Sequence, residues 1–176
     1  MFTEPKMEVC PPVAYAGIRG LVSMGELGEV IPRRLDECLR WLAEKGVTPN
    51  GAPLIRYHTC PDSHSPDALM DICIGWPIPT TLPAEGNFVS DSLPEGRYAS
   101  LVYKGVENGF AGNKALIDWA RKSRVRWESW EVKGGEGFAG RVEHMLDGPE
   151  DDPNPSNWRT QVAIKIQSGR VSDNYP

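Results

Sequence analysis

Alternating and helical runs of apolar residues divide the chain into eight elements that come in the same order twice. Residues 13–21 (VAYAGIRGL) follow a Pro-Pro pair that fixes an extended entry, and they predict a strand. Between residues 31 and 45, Ile31, Leu35, Cys38, Leu39 and Leu42 recur at helical spacing, with Gly46 where a left-handed C-cap would end the helix. Two further strands are predicted at 53–59 (PLIRYHT) and 70–75 (MDICIG). In the second, Met70, Ile72 and Ile74 share one face while Asp71 and Cys73 share the other. Residues 77–96, rich in Pro, Gly and Ser and without periodicity, read as a surface linker. A strand at 97–106, a helix at 111–122 and strands at 139–146 and 160–166 then repeat the first order.

Short segments support a duplication. AYAGIRGL (14–21) lines up with ASLVYKGV (99–106), and WLAEKG (41–46) with DWARKS (118–123). The expected architecture is α+β: a strand-helix-strand-strand unit present twice, with an antiparallel sheet, two main helices and pseudo-two-fold symmetry around a ligand cavity. One domain is expected over residues 1–168, with the first repeat at about 8–78, a linker at 79–95 and the second repeat at about 96–167. A polar tail at 169–176 is expected to add little to the core.

Composition narrows the function. A net charge of −5 over 176 residues speaks against direct nucleic-acid binding, which draws its affinity from clustered Lys and Arg. The start, MFTEPKMEVCPPV, lacks a basic region followed by an apolar run, and no stretch approaches the about 18 apolar residues of a membrane span, so a cytoplasmic location away from membranes is expected. Cys10, Cys38, Cys60 and Cys73 form no C-x-x-C pair, and reduced thiols are expected. His58, Cys60 and His64 are zinc-ligand types without a fourth ligand at a convincing spacing, so no metal is assigned. GVENGFAGNK lacks phosphate-loop spacing and no G-x-S-x-G elbow occurs; no cofactor is implied.

Several longer stretches carry a resemblance: RWLAEKGVTPNGAPLIRYH, DICIGWPIP, LPEGRYASLVYKG, NKALIDWA and FAGRVEHMLDGPEDDPNPSNWRTQVAIKI. Through nearly the whole chain they resemble the GyrI-like proteins, which share their fold with effector domains of multidrug-responsive transcription regulators. The resemblance implies a binder of lipophilic organic compounds, cationic or planar, whose ligand meets a glutamate matching Glu143. Two positions depart from the family pattern: Cys73 stands where an acid is frequent and Met145 where an aromatic is frequent. Alternation puts Arg141, Glu143 and Met145 on one face of their strand; if Val142 packs under the helices, Glu143 faces away from them. Tyr57, Trp76, Trp41 and Phe138 are the aromatic candidates for the lining, beside Met145 and Cys73.

A stand-alone receptor or sequestering protein is therefore the expected function. Some relatives of this kind hydrolyse reactive cyclopropane-bearing compounds, a role in which Glu143 would be a general base. The family name also suggests contact with a protein such as gyrase. The ordinary alternative for Glu143 is a solvated strand residue paired with Arg141. Oligomeric state is not readable from the sequence.

Overall fold

The computed structural model describes residues 1–169. It contains β1 (Lys6–Cys10), β2 (Val13–Ser23), α1 (Leu27–Glu44), β3 (Leu54–Pro61), β4 (Leu69–Pro77), β5 (Phe88–Leu93), β6 (Gly96–Lys104), α2 (Gly109–Lys122), β7 (Ser129–Val132), β8 (Gly135–Phe138), β9 (Arg141–Met145) and β10 (Arg159–Lys165). One antiparallel sheet runs in the order β1-β6-β10-β9-β3-β4-β2-β5, with the β7–β8 hairpin attached to β3. Of the C-terminal tail, residues 170–176 lie outside the described residues.

That order is symmetric about its centre. In each half the first strand of the unit pairs with its last, the last with its middle strand, and the two middle strands, β3 and β9, meet at the axis. The antiparallel register there is Leu54 to His144, Ile55 to Glu143 and Arg56 to Val142. The outermost strands are exchanged: β1 leads into β2 but pairs with β6, while β5 leads into β6 but pairs with β2.

Because only Pro11 and Pro12 join β1 to β2, and only Pro94 and Glu95 join β5 to β6, both connections are very short. Each spans about 10 Å at most. Ends that stand far apart in the strand order are thus close in space, and the sheet must curl into a half-barrel. Its inner face packs Tyr15, Leu54, Cys73, Leu93, Tyr98, Val142 and Ala163 together. Gly17 faces Gly75 across β2 and β4, and the absence of both side chains lets these two backbones close on one another.

The outer face carries the helices. α1 covers Tyr57, Met70, Ile72 and Ile74 through Val30 and the partly buried Leu27, Ile31 and Leu35, and α2 covers Leu101, Tyr103, Val162 and Ile164 through Leu116. α1 begins one turn before the expected Ile31, after a short 3-10 turn in which the Glu26 carboxylate accepts the Ser23 backbone N–H at 3.0 Å and its hydroxyl at 2.6 Å. Four strands were not legible. β1 is largely exposed, the β7–β8 hairpin is rich in glycine, and β5 lies inside the stretch read as a linker, where Ser and Asp break the alternation.

The helix ends refine the repeat. Gly46, at φ +69°, donates to Ala43 O while Val47 donates to Leu42 O; Arg124, at φ +57°, donates to Arg121 O while Val125 donates to Ala120 O. Gly46 therefore corresponds to Arg124, and Trp41 to Trp119, one residue away from the register read off the sequence. A non-glycine residue at positive φ costs about 1 kcal/mol or more. Arg124→Gly is accordingly expected to raise stability by about 0.5–1 kcal/mol in urea denaturation, after the larger unfolded-state entropy of glycine is subtracted. Unchanged or lowered stability would show that Arg124 makes a compensating contact.

Candidate functional site

α1 lies over β2 and β4, and α2 over β6 and β10, so β3 and β9 form the floor between the helices. Glu143 stands on that floor, on β9, with only 7% of its surface exposed. Its Oε2 accepts the Tyr57 hydroxyl of β3 at 2.9 Å, and its Oε1 accepts Nδ2 of Asn113, in the first turns of α2, at 2.6 Å. Asn113 Oδ1 in turn accepts Arg141 Nη2 at 2.9 Å. Burial, and then the Glu143 charge, push the Tyr57 phenol well above its ordinary range, so it remains a proton donor; the same two causes raise Tyr103.

The Arg141 guanidinium centre lies 4.8 Å from the Phe138 ring centroid and 5.5 Å from that of Tyr57. Met145 belongs to the apolar group around Tyr57, with Ile31 and Leu35 from α1. The result is a carboxylate and a guanidinium, bridged by one amide and walled by aromatic and aliphatic side chains. These groups set negative charge, positive charge and apolar surface side by side.

The expected placement of Glu143 away from the helices is overturned. Glu143, Arg141 and Met145 face the helices, while Val142 faces the inside of the curl with Leu54 and Cys73. The assumption that the aliphatic side of β9 marks the helix side fails because the curl buries the other face as well. Nor is Glu143 a solvated residue paired with Arg141, since Asn113 stands between them.

Of the aromatic candidates, Tyr57 and Phe138 adjoin Glu143 or Arg141. Trp41 and Trp76 do not. Trp41 stacks on Phe88 at 4.7 Å beneath the C-terminal half of α1, and Trp76 Nε1 donates to Leu35 O at 3.1 Å in the same apolar group. Cys73, grouped with the lining from the sequence, lies on the opposite face with no exposure. His58, Cys60 and His64 are dispersed. Cys60 packs beside the groups of both helices, whereas His64 meets the Phe110 ring edge-on at 5.2 Å; no metal-binding group occurs among the described residues.

Asn113, Tyr103 and the bridging part of Arg141 were missed. Asn113 offered a signal, being a polar residue beside the buried stripe Gly112, Leu116 and Ala120 of α2. Two surface hollows lie elsewhere: one of about 360 Å³ lined by residues including Val13, Asn50, Pro77 and His144, and one of about 510 Å³ at the β7–β8 hairpin, lined by residues including Asp62, Trp130 and Glu136. We place the candidate site at Glu143, where a buried carboxylate, a guanidinium and aromatic rings converge.

On the other side of the floor, Arg56 donates to the Tyr15 hydroxyl and to Asp91 Oδ2, both at 2.9 Å, and to the Ala139 carbonyl at 3.2 Å, tying β2, β3, β5 and the β8–β9 turn together. Burial, followed by the neighbouring Arg56 charge, lowers His58 from an ordinary 6.5 to about 4, and burial lowers His144 too. A depressed histidine leaves folding unaffected above the unfolded value and penalises it as the ring is forced to charge. Stability is thus expected to be full above about pH 6.5 and to be lost as pH falls through about 4. The urea midpoint should decline across that window, and less steeply in His58→Gln; identical slopes would exclude His58 as a cause.

The chain is thus a two-helix, curled antiparallel fold with a buried carboxylate between its helices. The family model for the GyrI-like small molecule binding domain matches residues 3–167, and the chain belongs to that family. No curated protein matches it in sequence. Among solved structures, the C-terminal domain of EcmrR superposes with a TM-score of 0.68 at 14% identity, covering 94% of this chain and 98% of that one. In the EcmrR–DNA complex the TM-score is 0.70 at 15% identity, with 96% of this chain covered; there the chain spans 58% of EcmrR. SAV2435 bound to tetraphenylphosphonium gives 0.56 at 13% identity, covering 94% and 95% of the two chains, and a hydrolase from Listeria innocua 0.60 at 12%, covering 93% and 91%. At these identities the likeness is one of fold. No helix among the described residues is long and apolar enough to cross a membrane.

Proposed function

We propose that this small-molecule-binding domain acts as a cytoplasmic receptor or sequestering protein for lipophilic organic compounds, cationic or planar, that bind over β3 and β9 between the two helices. The observation that carries this reading is Glu143, a carboxylate 7% exposed, held by Tyr57 and Asn113 among apolar side chains. Desolvating a carboxylate is costly, and a fold that keeps one here has a use for negative charge at that point. A ligand's positive end would draw near as Asn113 or Tyr57 swings aside, and its rings would pack on Phe138, Met145 and Tyr57. That SAV2435 is seen with tetraphenylphosphonium supports this class of ligand.

A second reading uses the same pair of groups. Glu143 with the Tyr57 hydroxyl at 2.9 Å is a carboxylate beside a proton donor, which would suit water-assisted opening of a reactive small molecule; a structural neighbour is described as a hydrolase. One experiment separates the two. A thermal-shift screen of lipophilic cations and planar electrophiles is followed by mass spectrometry of every stabilising compound. Stabilisation with compound recovered unaltered is the expected result, an altered compound favours hydrolysis, and no stabilisation by either class would overturn both.

A further inference from the structure

Arg141 is the part of this site that a simple cation receptor does not account for. Its guanidinium already lies against the Phe138 and Tyr57 rings, the surfaces a ligand cation would seek. Nη2 is engaged by Asn113, but Nε is buried and has no hydrogen-bond partner among the described residues. A buried N–H without an acceptor is costly, and a charged one most of all. Glu143 does not relieve it, because the Asn113 amide bridges the two charged groups and Nε makes no bond to the carboxylate.

We propose that Arg141 is a specificity-determining residue that, together with Glu143, makes the cleft selective for aromatic compounds with a dipolar head, one positive group for Glu143 and one carboxylate-like acceptor for Arg141. This rests on the function proposed above, read as a ligand cleft over β3 and β9 between the helices, and names the ligand class within it. A lipophilic monocation drawn to Glu143 also meets the Arg141 guanidinium at short range, where poor solvation strengthens the repulsion. A zwitterion meets an opposite charge at each end, and its acceptor takes up the orphaned Nε–H in a charge-assisted bond. The rings that flank Arg141 then accommodate the aromatic body.

Naphthalene probes that share one ring system and differ only in the head separate these cases: naphthylalanine (zwitterion), naphthylmethylammonium (cation), naphthylacetate (anion) and naphthylacetamide (neutral). Each is titrated calorimetrically into the full chain, into Arg141→Gln and into Arg141→Lys, whose charge is kept without the planar Nε–H donor. The wild type should bind naphthylalanine tightest. Arg141→Gln should weaken naphthylalanine and naphthylacetate about tenfold or more while tightening naphthylmethylammonium, and Arg141→Lys should fall between. If the probes bind but the wild type prefers the cation, or neither variant changes the ranking, Arg141 has no part in selection while the cleft reading survives. If no probe binds any of the three proteins, with their melting curves showing them folded, the cleft reading falls as well.

Discussion

Replacing Gly75 with alanine is expected to destabilise the fold by about 3 kcal/mol or more, the scale reached when an extra group is forced into a core that cannot yield. A Cβ at this position would collide with the carbonyl oxygen of Ala16 and come within 2.5 Å of Gly17 Cα, which are backbone atoms of the paired strand β2. No rotamer change relieves such a clash; β2 and β4 would have to part where they pair Gly17 with Gly75. Since 1 kcal/mol shifts the melting temperature of a chain this size by roughly 2–4 °C, a fall of about 6–12 °C is expected. Gly28→Ala is the matched control. Gly28 lies in the first turn of α1 with nothing within 4 Å of its Cβ position, so alanine there should be neutral or slightly stabilising. Equal losses from both would show that the tight β2–β4 approach does not hold the curl together.

The same glycine pair shows where sequence reading stops. Gly17 and Gly75 sit in predicted strands as ordinary interruptions of alternation, and only the pairing puts them opposite one another. Local signals carried the core elements: the α1 stripe through Cys38 and Leu42, the Gly46 cap, and the strands holding Ile72 and Val162 all lie where the pattern puts them. Strands that pair only through long-range contacts, β1 and β5, leave little periodic trace because one face of each stays open or carries Ser and Asp.

The site was half legible for the same reason. Glu143 and Tyr57 were both singled out, and their 2.9 Å bond joins positions 86 apart. Which face they share depends on the curl, and a strand buried on both sides does not announce it. Asn113 and Arg141 acquire their roles only through α2 lying over β6 and β10, next to β9, a tertiary arrangement with no local signature.

Glu143→Gln is expected to have the largest effect on binding. Glutamine keeps the size of the side chain, and its oxygen can still accept from Tyr57 or Asn113, so the fold should tolerate it while the charge is lost. A charge-assisted contact is worth about 1–3 kcal/mol, and that amount should vanish from the affinity for a lipophilic cation. Arg141 lowers the absolute affinity of any monocation, but it is common to both proteins and does not enter their difference. The direct test is calorimetric titration of tetraphenylphosphonium and the uncharged triphenylphosphine oxide into the wild type and Glu143→Gln. The account predicts a loss of about 1–3 kcal/mol for the cation and a much smaller change for the neutral compound; equal cation affinity in the two proteins would contradict it.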